Sequence, residues 1–106
     1  MTNDDLDIGD DLEIKKIERR ATCGGSWVRG TILGHRFEAL VFPEHAECAE
    51  YEIGDSKISK LWIQRLADKK EVYAWDRGLG TPAASATVQA IVDFLAAGLA
   101  DHVYAE

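Results

Sequence analysis

Four side chains near the middle of the chain are of types that bind metals or move protons: His45, Glu47, Cys48 and Glu50. His45-Ala46-Glu47 matches the H-x-E half of a zinc deaminase signature, in which the histidine binds zinc and the glutamate transfers protons. No P-C-x-x-C follows in the sequence, and a structural zinc site needs four well-placed ligands. The sequence therefore predicts no metal site and no bound cofactor.

Other candidate bases and nucleophiles also lack partners. We expect His35 at a hairpin tip and His102 near the end of the last helix, both in solvent. Gly24-Gly25 precedes a predicted strand, whereas a phosphate-binding loop follows a strand and opens a helix. We therefore predict that the protein is not an enzyme. Four serines have no base at a recognisable spacing: Ser26, Ser56, Ser59 and Ser85.

The segment from Glu38 to Asp55 carries six acidic residues and neither Lys nor Arg. It connects two predicted hairpins, so we expect it to form a concentrated negative surface. Carboxylates can take the place of phosphates in front of Lys and Arg clusters. This favours a protein partner with a basic surface, and the alternative is a solvated loop that serves only solubility. The acidic partner-binding residues would be Glu44, Glu47, Glu50, Glu52 and Asp55.

The whole chain is acidic as well, with a net charge of −7 over 106 residues. A negative field repels nucleic-acid phosphates and anionic membranes, so direct nucleic-acid binding is disfavoured and no membrane partner is expected. Cys23 and Cys48 lack a CxxC spacing, which favours reduced thiols and no disulfide. We find no signal peptide and no apolar stretch of membrane-spanning length, and we expect a cytoplasmic protein.

The first hairpin is predicted from Gly34-His35, a two-residue turn with glycine at the first central position. This turn would pair Leu33 with Arg36 and Val28 with Val41. By the period of two, one face of the hairpin is apolar. That face carries Val28, Ile32, Phe37, Ala39 and Val41.

The second hairpin is predicted to turn around residues 67–70, pairing Ile63 with Ala74, Trp62 with Trp75 and Gln64 with Tyr73. The sheet face opposite the helix would then gather aromatic residues among Arg and Lys. Such a face suits protein binding or the stacking of single-stranded bases, unless another segment covers it. Its predicted aromatic contact residues are Trp27, Trp62, Tyr73 and Trp75.

A helix is predicted from about Pro82 to Ala97, with Thr81 as its N-cap and proline at the first helical position. Its apolar stripe would cover one face of the sheet. Its outer side carries small residues and one Phe, so it either contacts a second copy or only reflects good helix formers. The stripe contains Ala84, Val88, Ile91, Val92, Leu95 and Leu99, and the candidate dimer face contains Ala86, Ala90, Phe94 and Ala97.

These elements together predict an α+β fold: a four-stranded antiparallel sheet of two hairpins with one C-terminal helix packed on one face. Residues 1–22 form an acidic, partly disordered segment with a short helix over about 11–20. Residues 23–106 form a single ββββα domain.

Three sequence motifs resemble a small domain of unknown function that is found in bacterial and phage genomes. They are W-V-R-G-T-I-L-G-H-R-F-E-A at Trp27–Ala39, I-S-K-L-W-I at Ile58–Ile63 and D-R-G at Asp76–Gly78. The resemblance covers about Trp27 to Leu99, implies the sheet-and-helix fold and carries no assigned catalytic residues. Its phage association implies an anti-defence protein, such as an inhibitor of a CRISPR effector. The alternatives are a small binder of single-stranded nucleic acid or nucleotides that uses the aromatic face, and a self-associating structural subunit.

Overall fold

A computed structural model describes residues 12–20, 24–45, 51–54 and 56–104. In this part of the chain the strands form a single antiparallel sheet in sequence order, followed by one α-helix. The predicted α+β architecture is confirmed, but the sheet has six strands and not four. The elements are β1 Glu13–Arg19, β2 Ser26–Ile32, β3 His35–Val41, β4 Ile58–Arg65, β5 Lys70–Asp76, β6 Leu79–Thr81 and α1 Ala86–Tyr104.

Strand β1 lies where a short helix was predicted, so that prediction was wrong. Ile14 and Ile17 are three residues apart, a spacing that suits one helical face. In the structure a register shift between Ile14 and Lys16 places Ile14 opposite Gly30 and Ile17 opposite Val28. The extra residue thus lets two positions three apart share one face of a strand.

The first hairpin has the predicted faces but a different turn. Leu33 and Gly34 are the two central residues, with φ of 50° and 73°, and Ile32 pairs with His35. Positive φ at both central positions is the type I′ arrangement, which suits the twist of a hairpin. The pairing differs from the prediction by two residues, and an even shift leaves every side chain on its predicted face. All five predicted face residues are buried: Val28, Ile32, Phe37, Ala39 and Val41.

His35 is therefore not at a solvated hairpin tip, as predicted, but at the start of β3. Its side chain is buried, and Nδ1 donates a hydrogen bond of 2.7 Å to the carbonyl oxygen of Leu33. The bond ties the histidine to its own turn.

In the second hairpin the predicted register was wrong by one residue. Ile63 pairs with Tyr73, and Leu61 pairs with Trp75. The register shift next to Ile63 leaves Val72 as an extra residue, and both Val72 and Tyr73 are buried in the core. A one-residue shift exchanges the two faces, so Tyr73 and Trp75 lie on the side of α1.

The C-terminal region differs from prediction at both ends of the helix. Leu79–Thr81 pairs with β5 as a short edge strand, and α1 runs from Ala86 to Tyr104 instead of from Pro82 to Ala97. Ser85, not Thr81, caps the helix, because its Oγ accepts a hydrogen bond of 3.2 Å from the Val88 amide.

The core lies between α1 and one face of the sheet. Helix residues spaced three and four apart pack against residues of β2 to β5. Phe37 is fully buried at its centre, and burial of a side chain of that size stabilises the fold by about 1.5–3 kcal/mol. The helix contributes Val88, Ile91, Val92, Leu95, Leu99 and Val103, whereas Ala84 of the predicted stripe is exposed and precedes the helix.

Helix α1 also corrects the expectation that no segment reaches membrane-spanning length. It has 19 residues and is apolar enough to span a membrane by length and composition alone. Core helices pass the same test, and six side chains of α1 are buried in this core.

Candidate functional site

One cavity lies beyond the end of β3, where five separate stretches of chain meet. Its volume is about 360 Å³, and its walls include Gly25, Phe42, Tyr51, Glu52 and Ser59. This is at the lower end of the roughly 300–1,000 Å³ typical of ligand pockets. We call it the Glu52 pocket.

Backbone hydrogen bonds fix the walls of the Glu52 pocket. The Phe42 amide donates to the carbonyl oxygen of Lys57 at 2.9 Å, which joins the end of β3 to the start of β4. The Ile53 amide donates to the carbonyl oxygen of Ile58 at 3.1 Å. The segment that carries Glu52 is therefore held against the end of the sheet.

Glu52 is the most unusual residue of the pocket, because it is a carboxylate only 4% exposed. His45 Nδ1 donates a hydrogen bond of 2.9 Å to Oε2 of Glu52. Within the described ranges, the second oxygen, Oε1, is buried and has no hydrogen-bond partner. A buried acceptor without a donor costs about 1–3 kcal/mol, and more when it is charged.

Aromatic rings and cations also line or neighbour the Glu52 pocket. The Trp75 Nε1 donates to the carbonyl oxygen of Tyr51 at 3.1 Å, and the Arg77 guanidinium lies 5.6 Å from the centroid of the Tyr51 ring. Phe42 forms another wall, and Lys57, at a positive φ of 65°, also borders the cavity. The pocket thus combines apolar walls with a buried carboxylate, one oxygen of which has no hydrogen-bond donor among the described residues, and with charged groups of both signs.

The described groups of this pocket can form hydrogen bonds and ion pairs. No group of three or more His, Cys, Asp or Glu residues within the described part of the chain could hold a metal ion. A single carboxylate oxygen with no donor can accept one N–H or pair with one cation.

The predicted acidic residues fall into three groups. Glu44 is exposed and borders the pocket. Glu52 was expected on a solvated surface, but it is buried, because the segment 51–54 folds against β4 and His45 covers it. Glu47, Glu50 and Asp55 lie outside the described residues, as do the proposed disordered segment 1–11 and both cysteines.

The predicted aromatic face is only partly assembled. We call the sheet face opposite α1 the open face. Trp27 and Trp62 lie on it, half-buried, but the register shift in β5 moves Tyr73 and Trp75 to the other side. Trp27 and Lys60 flank Leu40, which is 3% exposed, so this tryptophan helps to shield an apolar residue.

Ion pairs neutralise much of the positive charge on the open face. They join Arg29 to Glu38 and Lys60 to Asp76, with N–O distances of 3.8 and 3.7 Å. A third pair of 3.8 Å joins Lys16 to Glu18. These three bases are therefore poorly placed to bind the phosphate backbone of a nucleic acid, because each is already paired with an acid.

Trp62 and Glu71 form a second hydrogen-bonded group on the open face. Glu71 accepts hydrogen bonds from Thr81 Oγ1 at 2.6 Å and from Trp62 Nε1 at 2.9 Å. These donors, Thr81 first, hold the pKa of Glu71 below its ordinary value. The Arg36 guanidinium lies 5.3 Å from the Trp62 ring.

The candidate dimer face lies along the outer side of α1. Phe94 is half-buried and packs against the edge of the core, so it offers less apolar surface than the sequence suggests. The three alanines are exposed: Ala86, Ala90 and Ala97.

Sequence reasoning missed the Glu52 pocket. Its walls come from segments around residues 24, 42–45, 51–52, 57–59 and 77, which no local pattern connects. The one available signal was His45 seven residues before Glu52 in the sequence, because a histidine and a carboxylate can form a hydrogen bond or an ion pair.

Comparison with known proteins identifies one match. Residues 26–100 match a family model described as a domain of unknown function, DUF7678. Searches of curated proteins and of solved structures find no match.

Proposed function

Since the chain belongs to the DUF7678 family of domains of unknown function, we propose from its own charges that it is a non-catalytic acidic module that binds a protein with a basic surface. The observation that carries this proposal is the charge of the segment Glu38–Asp55, which has six acids and neither Lys nor Arg. Glu44 of that segment is exposed, and among the described residues it has no ion pair.

The charges in the rest of the chain also favour a partner with a basic surface. Apart from Glu71, the exposed acids described in the sheet and its hairpin turns are paired with bases, as Asp68 is with Arg65 at 2.9 Å. The net charge of −7 attracts a basic surface from a distance and accelerates association.

The sharpest form of this proposal is an inhibitor from a phage or another mobile element that acts in the cytoplasm on a host defence complex. A CRISPR effector holds nucleic acid in a positively charged channel. Carboxylates of this module would occupy that channel in place of phosphates, because both groups accept hydrogen bonds from Arg and Lys.

Competition with nucleic acid tests this proposal. The probe is a purified CRISPR effector with a fluorescent target oligonucleotide, and anisotropy reports displacement. We expect the protein to displace the oligonucleotide, and the triple variant Glu44→Lys, Glu47→Lys, Glu50→Lys to weaken displacement by roughly 10-fold or more. Higher salt should weaken it as well.

The matched control is the triple variant Glu13→Lys, Glu18→Lys, Asp93→Lys, which changes the net charge equally at exposed positions away from the pocket. It should weaken displacement by only about 2- to 3-fold. Equal effects of the two triple variants would show that only net charge matters. Absence of competition at low salt would contradict the inhibitor form directly.

The nucleic-acid alternative gains no support from the open face, because acids neutralise several of its bases. Quenching of Trp62 fluorescence by single-stranded oligonucleotides would favour this alternative over the proposed function. Self-association through α1 stays a prediction that sedimentation at two concentrations tests.

A further inference from the structure

We propose that the Glu52 pocket is an anchor site for one arginine side chain of the basic partner. This inference rests on the proposed function, because it assumes a protein ligand with exposed cations. It starts from Oε1 of Glu52, a buried acceptor that has no hydrogen-bond partner within the described part of the chain. Groups of this kind are rare in folded proteins and call for a donor.

The charge of the missing donor follows from the surroundings. The pocket walls carry two acids and two bases, Glu44 and Glu52 against Lys57 and Arg77, so the local charges balance. The long-range electrostatic field of the protein then decides the charge of the group that binds. This field is negative, because the net charge of the chain is −7. A cation that enters also compensates the buried Glu52 carboxylate, whose isolation is costly.

The shape and chemistry of the walls favour guanidinium over ammonium. A guanidinium group is planar, is more weakly hydrated than an ammonium and stacks on aromatic rings. Arg77 already lies 5.6 Å from the Tyr51 ring, which shows that this ring accepts such a contact. Phe42 offers a further aromatic wall. A cavity of about 360 Å³ suits one side chain and excludes a folded segment.

Arginine is also the residue type expected to carry such an anchor. Interface hot spots are enriched in Arg, and they fill pockets from which water is excluded. The exposed acids of the segment, such as Glu44, would then attract the partner, while Glu52 fixes its register.

Trp75 is bonded to a wall residue of the pocket and can report on it. Trp75 donates its indole N–H to the carbonyl oxygen of Tyr51, so a guest beside Tyr51 should change Trp75 emission. The variant Trp27→Phe, Trp62→Phe removes the two tryptophans of the open face and leaves Trp75 as the single emitter.

The experiment titrates this full-length reporter with three probes. These are the peptide acetyl-Gly-Arg-Gly-amide, its citrulline counterpart and guanosine monophosphate. Citrulline keeps the shape of arginine and removes its charge. We expect saturable binding of the arginine peptide, with the citrulline peptide at least about 10-fold weaker, because a charge-assisted hydrogen bond becomes a neutral one.

Two substitutions locate the binding. Glu52→Gln keeps the side-chain volume and should abolish the preference for arginine over citrulline. Glu44→Gln is the matched control at the exposed rim, and it should leave that preference within about 2-fold. Far-UV circular dichroism confirms that Glu52→Gln is folded. A preference that survives in Glu52→Gln overturns the assignment.

Tighter, Glu52-dependent binding of guanosine monophosphate would also overturn it and assign the pocket to a base with N–H donors. This outcome is separable from failure of the proposed function. If the preference for arginine depends on Glu52 but competition with the effector is unchanged by substitutions in the acidic segment, the pocket assignment is supported and the proposed class of partner is wrong. If competition depends on the acidic segment but the peptides do not bind, only the anchor is wrong.

Discussion

At the residue scale, hydrogen bonding controls the ionisation of Glu71. Thr81 Oγ1 and Trp62 Nε1 both donate to its carboxylate, and these donors favour the charged form. The folded-state pKa of Glu71 is therefore below its ordinary value. A lowered pKa means that the stabilising effect is present above the unfolded-state pKa, and that it is lost as the pH falls through the folded-state pKa.

The lowered pKa of Glu71 gives a prediction for Thr81→Val, which removes the hydrogen-bond donor with the larger effect on that pKa. The pKa of Glu71, followed by NMR titration of its carboxyl carbon, should rise toward the ordinary value. Thr81→Ser keeps the hydroxyl and should leave the pKa low. The urea midpoint of Thr81→Val should also fall less than that of the wild type between pH 7 and pH 3. An unchanged Glu71 pKa in Thr81→Val would contradict the assigned hydrogen bond.

Glu52 shows what residue types alone cannot reveal. Glu47, Glu50 and Asp55 lie within five residues of it in the sequence, so composition places it in solvent. It is buried in the structure, where the hydrogen bond from Ile53 to Ile58 holds its segment against β4. The types of the pocket residues are plain in the sequence, but their distances depend on a loop whose closure no local pattern specifies.

At the element scale, alternation of apolar residues predicted faces well where strands are regular. The five apolar core residues of β2 and β3 were all predicted, because an even error of register does not exchange faces. Prediction failed at two of the register shifts, those between β1 and β2 and between β4 and β5. Ile14 and Ile17 imitated a helical spacing in β1, and Val72 displaced Tyr73 and Trp75 from their predicted face. An extra residue in a strand has no reliable sequence signal when no glycine or proline marks it.

Gly30 offers a test of how β1 joins the sheet. A Cβ atom at this position would collide with the backbone oxygen of Glu13 and approach the Phe37 ring to 3.0 Å. Phe37 is fully buried, so its ring has little room to move. Gly30→Ala should therefore lower the free energy of unfolding by about 1–3 kcal/mol, the usual cost of overpacking. Amide hydrogen exchange should accelerate most in β1.

Gly98→Ala is the matched control for Gly30→Ala. Gly98 lies within α1, is exposed, and has no heavy atom within 4 Å of the added Cβ. The same substitution should here raise the free energy of unfolding by up to about 1 kcal/mol, because alanine favours the helix over glycine. Urea unfolding measures both variants. Equal effects at the two positions would contradict the close approach of Glu13 and Phe37 to Gly30.

At the scale of the whole molecule, the C-terminal end of α1 is joined to three strands. Arg19 of β1 donates to the carbonyl oxygen of Val103 at 3.3 Å, and its guanidinium lies 5.1 Å from the Tyr104 ring. The Tyr104 hydroxyl contacts Ser26 Oγ of β2 at 3.1 Å. It also donates to the carbonyl oxygen of Val41 of β3 at 3.0 Å. These contacts lie beyond Ala97, where the predicted helix ended.

Tyr104→Phe tests whether this junction stabilises the whole fold. The substitution keeps the ring and removes the hydroxyl, which leaves the Val41 carbonyl oxygen and Ser26 without this partner. The free energy of unfolding should fall by about 0.5–1.5 kcal/mol, the net value of a typical hydrogen bond, as measured by urea unfolding. Tyr51→Phe is the control, because its ring is 44% exposed and its hydroxyl has no partner among the described residues. A loss confined to Tyr104→Phe would show that the Tyr104 hydroxyl helps to hold the end of α1 on β2 and β3, whereas equal stability of the two variants would mean that this hydroxyl contributes no net stability.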